Sequence, residues 1–196
     1  MDELRRAYGA RAKEYAALLG SVEATPAADR DLIGSWADGL DGLVADVGCG
    51  PGHWTEFLRQ HGVAAVGLDP VPEFVALARA RFPEASFRLG SARDLDLDGL
   101  VGVLAWYSLI HLPPAELPPA VAALAERLRP GGGLIIGFFE GPRTEVFAHA
   151  VAPAWFHPLA AMRALAEQAG LEVTHALRRS APGTRDHGEL IAVRPR

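Results

Sequence analysis

A glycine-rich turn between an apolar run and a helical pattern constrains the fold of this chain more than any other feature. The apolar run is Leu43–Val47, the turn is Gly48-Cys49-Gly50-Pro51-Gly52, and the helical pattern begins at His53. Glycines let the backbone turn tightly and approach a ligand closely, and the N-terminus of the following helix offers unpaired N–H groups. This pattern predicts the first strand–helix unit of an α/β fold, with a ligand bound at the turn.

Apolar periodicity along the rest of the chain alternates between helical and strand-like spacing, which predicts a single α/β domain over residues 1–196. Helices are predicted over residues 2–20, 27–37, 53–60, 70–81, 115–128 and 159–169, with Pro130 and the three following glycines ending the fifth. Strands are predicted over residues 43–47, 63–68, 86–89, 100–106, 134–139, 171–177 and 189–193.

The order of these elements predicts the topology of the sheet. Helices separate the first five strands, which should therefore be parallel with right-handed crossovers. A hairpin-like loop over residues 178–187 joins the last two strands, so at least one of them must run antiparallel to its neighbour. The predicted fold class is a Rossmann-like, seven-stranded, mostly parallel sheet with one antiparallel strand and helices on both faces.

The composition argues against several classes of protein. A net charge of −5 disfavours a nucleic-acid partner, and no apolar stretch reaches the roughly 18 residues of a membrane span. The single cysteine, Cys49, cannot form an internal disulfide, and no Cys/His framework for a metal is present. The N-terminal residues lack the apolar core of a signal peptide. We expect a cytoplasmic monomer or homodimer with a small-molecule partner and no metal.

Two acidic residues near the glycine turn narrow the choice of ligand. Asp69 follows the next strand, 17 residues after Gly52, where a carboxylate can accept hydrogen bonds from both ribose hydroxyls. A dinucleotide would need Gly or Ala at the third position of the glycine pattern, where His53 stands. It would also place a pyrophosphate beside Asp46, whereas an ammonium or a sulfonium would be attracted to that carboxylate. S-adenosylmethionine carries both of these cations.

Four segments of the chain resemble the class I S-adenosylmethionine-dependent methyltransferases. They are Asp46-Val47-Gly48-Cys49-Gly50-Pro51-Gly52, Gly67-Leu68-Asp69, Gly90-Ser91-Ala92-Arg93-Asp94-Leu95 and Leu128-Arg129-Pro130-Gly131-Gly132-Gly133. The segment from Tyr8 to Tyr15 resembles the lid helix of small bacterial members, and the run from Trp106 to Leu112 resembles an actinobacterial-like subgroup. On this resemblance, residues 1–38 form lid helices. Residues 140–158 are long for a connection in a compact domain, so we expect them to form an acceptor-side loop.

The resemblance implies S-adenosylmethionine as the cofactor, with S-adenosylhomocysteine as its product. The main chain at Gly48 and Gly50 would contact the methionine part, Asp46 would lie near its amino group, and Asp69 would bind the ribose hydroxyls. Pro70 would pack on the adenine. The other cofactor-binding residues that it implies are Ser91, Ala92, Arg93, Asp94 and Trp106. Two alternatives stay open, in which Asp94 is a surface acid and Asp69 caps the end of a strand.

Three polar residues share one face of the first predicted helix, namely Tyr8, Arg11 and Tyr15. Arg11 would bind the cofactor carboxylate through charge-assisted hydrogen bonds, and the tyrosines would close over the methionine part. The alternative is that this face is a packing surface with long polar side chains at its margin.

The methyl acceptor is expected beyond the carboxyl end of the fourth strand, which places Trp106 and Tyr107 beside the transferred methyl group. His111 would act as a general base, and Tyr107 is the second catalytic candidate. A second group of candidates suits an apolar or aromatic small molecule and comprises Glu140, Arg143, Phe147, His149, Trp155, Phe156 and His157. Of these, Trp155 and His157 are predicted to bind the substrate, as are Tyr107 and His111. The alternatives are that His111 caps the turn before Pro113 and that His149 and His157 are structural.

The predicted function is methylation of a small molecule by direct displacement, with oxygen as the first choice of acceptor atom and nitrogen as the second. A dedicated base is needed only when the acceptor is a poor nucleophile, such as a neutral hydroxyl. The chain lacks the Asn/Asp-Pro-Pro-Tyr/Phe run that would indicate amino-methylation of DNA bases or of protein glutamine. Three alternatives are a cofactor-binding protein without methyl transfer, a dinucleotide oxidoreductase and, least supported, a protein-interaction module.

Overall fold

The computed structural model describes residues 2–196, apart from the side chains of Asp2 and Leu19. The chain divides into two compact units, of which the first ends at Ser91 and the second comprises Ala92–Arg196. Among the helices of residues 2–196, none combines the length and the apolar character needed to cross a membrane. The single domain predicted over residues 1–196 stays a prediction.

The first unit consists of helices that alternate with short strands after an N-terminal helical segment. Its elements are α1 (Asp2–Leu19), a 3-10 helix (Val22–Ala24), α2 (Ala27–Ala37), β1 (Leu43–Val47), α3 (His53–Gln60), β2 (Ala64–Asp69), α4 (Pro72–Arg81) and β3 (Ser86–Leu89). The strands are parallel in the order β3-β2-β1. Every residue of β1 after Leu43 is buried, as expected for a strand covered on both faces.

Helix α1 packs against α4 through an aromatic and aliphatic cluster. Ala12 of α1 and Val71 and Phe74 at the start of α4 are buried, and Tyr8 and Tyr15 pack against them. Proline at the first position of α4 costs no hydrogen bond, because the N–H group there has no partner within the helix.

The second unit contains a longer sheet with two helices. Its elements are β4 (Leu100–Trp106), α5 (Leu117–Arg127), β5 (Leu128–Glu140), β6 (Glu145–Phe147), β7 (Ala154–His157), α6 (Leu159–Gln168), β8 (Glu172–Arg179) and β9 (His187–Val193). Strand β5 pairs in parallel with β4 and with β7, whereas β9 is antiparallel to both β5 and β8. The predicted reversed strand is therefore confirmed, since β9 opposes both of its neighbours.

Residues 140–158 were expected to form a loop, and this expectation is wrong for part of the segment. Strands β6 and β7 form an antiparallel pair there, with Val146 opposite Trp155, so the described residues contain two more strands than predicted. Three- and four-residue strands give too short a pattern for period-two alternation to be read from the sequence. The pairing of Phe139 and Glu140 with Phe156 and His157 adds β7 to the end of β5.

The start of β5 is a second correction. Pro130 and the glycines were expected to precede a strand at residue 134, but β5 already begins at Leu128. Its pairing with β4 jumps from Leu100–Leu128 to Gly102–Gly133, so the extra residues bulge out of the ladder. Gly131 in the bulge has a φ of +80° and donates to the carbonyl of Arg194 at 2.8 Å. The bulge keeps its backbone bonded, so the strand continues through a sequence that resembles a helix stop.

Most other boundaries agree with the expectations. The predictions for α2, β1, α3, β3 and β4 are confirmed to the residue. The remaining elements differ by one or two residues at an end, which is within the usual uncertainty of boundaries. The mixed α/β class with a mostly parallel sheet is confirmed.

Candidate functional site

The glycine turn of the first unit is held against the end of β2 by backbone hydrogen bonds. The N–H groups of Gly48 and Cys49 both donate to the carbonyl of Leu68, at 2.7 and 3.0 Å. Gly50 has a φ of +54°, and a Cβ there would have no atom of the described residues within 4 Å. The backbone at Gly50 therefore borders open space that a ligand can approach.

The carboxylate of Asp69 joins this turn to the start of α4. Its Oδ2 accepts from the N–H of Gly50 at 2.9 Å, and its Oδ1 accepts from the N–H of Val71 at 2.8 Å. The side chain is buried, and burial raises the pKa of Asp69 to about 6 although both hydrogen bonds oppose the rise. Each carboxylate oxygen retains a second lone pair, so ribose hydroxyls can still donate to it.

Asp46 provides a second buried carboxylate beside the turn. Its Oδ2 accepts from the hydroxyl of Thr55 at 2.6 Å, which ties β1 to α3. Burial raises the pKa of Asp46 to about 7, with a smaller contribution from the charge of Asp69. A nearby cation would stabilise the ionised forms of both carboxylates. The chemistry of the turn thus fits a ligand with hydroxyl and ammonium groups better than one with a pyrophosphate.

The three polar residues on one face of α1 are placed differently from one another. The rings of Tyr8 and Tyr15 lie 5.8 Å apart, each lies within 6 Å of the ring of Phe74, and the charge of Asp69 contributes to the raised pKa of both phenols, after burial. Arg11 instead pairs with Glu14 at 2.7 Å on the exposed side of the helix. The tyrosines are thus brought near Asp69, and the role of Arg11 stays a prediction.

The other predicted cofactor-binding residues lie in both units. In the first unit, Pro70 is half-buried and Ser91 is buried. In the second unit, Ala92 and Trp106 are buried, whereas Arg93 and Asp94 are exposed, and Arg93 pairs with Glu116. The roles of these residues in cofactor binding stay predictions.

Tyr107 occupies a strained position directly after β4. Its φ is +54°, a conformation that L residues rarely adopt. No other non-glycine residue among residues 2–196 has a positive φ. Its N–H donates to the carbonyl of Gly137 at 3.0 Å, and its hydroxyl is hydrogen-bonded to Nδ1 of His187. Such strain persists where the surroundings hold it, and it is frequent at functional sites.

His111 is anchored by a hydrogen bond that decides which ring nitrogen can act as a base. Its Nδ1 lies 2.7 Å from the carbonyl oxygen of Pro153. A carbonyl oxygen only accepts, so Nδ1 carries a proton and Nε2 is the nitrogen that can accept one. Burial lowers the pKa of His111, which keeps the imidazole neutral near pH 7. The geometry is compatible with the predicted general base.

An aromatic and histidine cluster surrounds Phe139 in the second unit. The ring of Phe139 lies between 5 and 6.5 Å from five neighbouring rings, those of Tyr107, Phe147, His149, Phe156 and His187. The ring of His149 also lies 5.4 Å from that of His111. Within the described residues, the buried Nδ1 of His149 has no hydrogen-bond partner. We call Phe139, these five neighbours and Arg185 the Phe139 cluster.

The remaining predicted substrate-binding residues are Trp155 and His157, both on β7. The N–H of Trp155 donates to the carbonyl of Ile110 at 2.9 Å, so β7 is tied to the segment that carries His111. His157 is buried and lines a shallow pocket with Pro114, Leu117 and Met162. Its contacts are thus with α5 and α6, and its role in substrate binding stays a prediction.

Three members of the Phe139 cluster were not singled out from the sequence, namely Phe139, Arg185 and His187. Phe139 is opposite His187 in the antiparallel pairing of β5 with β9, which brings together residues 48 positions apart in the chain. Arg185 precedes β9, and its guanidinium lies over the ring of Phe147 at 4.7 Å. The predicted hairpin indicated a reversed strand near the end of the chain, but it did not indicate that this strand pairs with β5.

Comparison with known proteins finds methyltransferases that are similar to this chain. A family model described as "Methyltransferase domain" matches residues 44–132, which include the glycine turn and Asp69. The dTDP-3-amino-3,4,6-trideoxy-alpha-D-glucopyranose N,N-dimethyltransferase of Streptomyces venezuelae is 34% identical over 141 residues, covering 70% of this chain and 56% of that protein. Over these residues the chain is similar to class I methyltransferases. The resemblance stated from the sequence is therefore confirmed.

Other relatives differ in the acceptor that their names give. The malonyl-[acyl-carrier protein] O-methyltransferase of Serratia marcescens is 28% identical over 128 residues, covering 63% of this chain and 50% of that protein. The chain thus spans roughly half the length of these two curated relatives. The crystal structure of Burkholderia thailandensis 1,6-didemethyltoxoflavin-N1-methyltransferase shares the fold, with a TM-score of 0.79 at 20% identity over 100% of this chain and 88% of that one.

Proposed function

We propose that this protein transfers a methyl group from S-adenosylmethionine to a small aromatic molecule and releases S-adenosylhomocysteine. The observation that carries the proposal is the carboxylate of Asp69, buried and bonded to the N–H groups of Gly50 and Val71 at the edge of the open space beside Gly50. This arrangement presents acceptor lone pairs for ribose hydroxyls, and Asp46 supplies a second carboxylate for the ammonium group.

Each part of the cofactor has a corresponding group in the chain. Asp69 would hold the ribose, Asp46 the amino group, and the backbone of Gly48 and Gly50 the methionine part. Tyr8 and Tyr15 would cover that part, and Pro70, Ser91, Ala92, Arg93, Asp94 and Trp106 complete the proposed cofactor-binding residues. When bound, S-adenosylmethionine supplies an electrophilic methyl group on a sulfonium. The chain itself binds and orients both reactants.

On the acceptor side, the Phe139 cluster would bind a planar ring, and His111 would hold the proton that the acceptor loses. Because Nδ1 of His111 is engaged by Pro153, Nε2 is the atom that would take this proton. A base matters most when the acceptor is a neutral hydroxyl, so an oxygen acceptor is favoured and a nitrogen acceptor is second. The names of the curated relatives include both kinds of methyltransferase.

Calorimetric titration of S-adenosylmethionine and S-adenosylhomocysteine tests the cofactor site. We expect both to bind wild-type protein, with affinity at least about tenfold lower in Asp69→Asn, since an amide lacks the charge that strengthens these hydrogen bonds. Asp69→Ala should abolish binding but also leaves two buried N–H groups unpaired, so the isosteric amide is the cleaner variant. Asp98→Asn is the matched control, because this exposed acid pairs with Arg127.

Two outcomes would contradict the proposal. If folded wild-type protein binds neither compound, the cofactor assignment is wrong, and nicotinamide dinucleotides are the next ligands to titrate. If both compounds bind but no S-adenosylhomocysteine forms with phenols, aromatic acids or aromatic amines, the protein is a cofactor-binding member of the family without methyl transfer.

A further inference from the structure

Arg185 is a positive charge placed on an aromatic surface without an acidic partner in the described residues. Its guanidinium lies over the ring of Phe147 at 4.7 Å and 5.9 Å from the ring of Phe139, and its hydrogen bond goes to the carbonyl of Ala148 at 3.4 Å. The side chain is exposed. An arginine that lies over a ring keeps in-plane N–H donors for a further partner, and a planar carboxylate fits them best.

Six other arginines of the second unit are matched with acids, whereas Arg194 donates to the backbone carbonyls of Glu126 and Leu128. The pairs are Arg93 with Glu116, Arg127 with Asp98, Arg143 with Glu145, Arg163 with Glu167, Arg178 with Glu140 and Asp186, and Arg179 with Glu189. Two acids near this arginine in the sequence or near its ring are among these pairs. Asp186 follows Arg185 in sequence and is bound by Arg178. Glu145 lies two residues before Phe147 on β6 and is bound by Arg143.

The surroundings of Arg185 contain basic and neutral groups that a negative charge would complement. His149 lies beside Phe139, with an unpartnered buried Nδ1, and His111 lies beside His149. Burial, followed by the electrostatic interactions with His111 and Arg185, lowers the pKa of His149 to about 4. The buried Nδ1 is a second, independent sign that a polar ligand group completes this cluster.

We propose that the methyl acceptor is an aromatic molecule with an anionic substituent, and that within the Phe139 cluster Arg185 binds this substituent while the aromatic side chains bind the ring. The inference rests on the proposed function, because it names the acceptor class of the same site. Arg185 is therefore a specificity-determining residue. A carboxylate is the simplest group of this kind, since both of its oxygens can accept from one guanidinium.

The test compares charged and neutral forms of the same aromatic probes on protein saturated with S-adenosylhomocysteine. The probes are 4-hydroxybenzoate against 4-hydroxybenzamide, and 3-hydroxy-2-naphthoate against its amide, with dissociation constants measured by ligand-observed NMR. We expect at least one carboxylate to bind about tenfold or more tightly than its amide, as one bidentate charge-assisted pair allows. The preference should shrink as salt is raised, because the guanidinium is exposed.

Two variants separate Arg185 from general electrostatics. Arg185→Gln should remove the preference for the carboxylate, whereas Arg163→Gln should retain it, because that arginine is an exposed residue of α6 paired with Glu167. Both side chains are at the surface, so both variants are expected to fold. Equal binding of carboxylate and amide, absence of binding by every probe, or a preference that survives in Arg185→Gln would each overturn the inference.

The same samples distinguish this inference from the proposed function. Binding of S-adenosylhomocysteine without any preference among the probes overturns the acceptor class and leaves the methyltransferase proposal standing. Failure of S-adenosylhomocysteine to bind overturns the methyltransferase proposal and, with it, the identification of these probes as acceptors.

Discussion

Gly50 and Gly39 both adopt a backbone conformation that favours glycine, but their surroundings differ. Both have a positive φ, +54° and +80°, and at neither would a Cβ meet an atom of the described residues within 4 Å. Alanine at either position is therefore strained by about 1 kcal/mol without any steric clash. What differs is that the N–H of Gly50 donates to Asp69.

We expect Gly50→Ala and Gly39→Ala to lower the free energy of unfolding by similar amounts, measured by urea denaturation. Only Gly50→Ala should weaken the binding of S-adenosylhomocysteine, by about tenfold or more, because its methyl group would project into the space assigned to the ligand. Unchanged affinity in Gly50→Ala would show that the ligand does not approach this residue.

At the scale of elements, a glycine of β5 accommodates a large side chain of the neighbouring strand β4. Trp106 at the end of β4 is opposite Gly137 of β5, and a Cβ at Gly137 would lie 2.7 Å from the indole. That distance is shorter than real Cβ contacts, and the buried indole has little room to move. The absence of a side chain at Gly137 thus makes room for Trp106.

Gly137→Ala is expected to destabilise the protein by about 1–3 kcal/mol, the usual cost of overpacking. The double variant with Trp106→Leu should recover part of this loss, since the smaller side chain leaves room for the methyl group. Chemical denaturation of the two single variants and the double variant gives the coupling energy. Additive effects would mean that the clash is not what destabilises Gly137→Ala.

The elements also show what the sequence could and could not predict. The glycine turn, Asp46 and Asp69 follow from local patterns, because a strand, its turn and the next helix are continuous in the chain. The contact between Tyr107 and His187 depends on the register of β9 against β5, which pairs His187 with Phe139. A shift of one residue would point His187 to the other face of the sheet, and no local pattern fixes that register.

At the scale of the whole molecule, Asp46 makes stability depend on pH. Its pKa is raised by burial from 3.8 to about 7, so the folded state holds a proton more tightly than the unfolded state. This contribution to stability is complete below pH 3.8 and is lost as the pH rises through about 7. Histidines with lowered pKa values, such as His53 and His149, act in the opposite direction, because stability is lost as the pH falls through the unfolded value of 6.5. Their effect therefore extends somewhat above pH 6.5.

Between pH 6.5 and 8.0 the carboxylate effect should therefore be visible. We expect the free energy of unfolding of the unliganded wild-type protein to fall by about 1 kcal/mol relative to that of Asp46→Asn across this interval, measured by urea denaturation. Asp46→Asn cannot ionise at this position and keeps the histidines, so it is the control that isolates the carboxylate. Wild-type and Asp46→Asn curves that run parallel would contradict the raised pKa of Asp46.

The two hydrogen bonds of Asp69 also bear on how this position can evolve. Because the carboxylate holds the chain's own backbone at Gly50 and Val71, selection for abundance alone acts on it, before any selection for activity. In a saturation library sorted only by cellular protein level, substitutions at Asp69 should already be depleted. A descendant that lost methyl transfer would therefore still retain this aspartate, and its presence in a distant sequence is a record of folding as much as of catalysis.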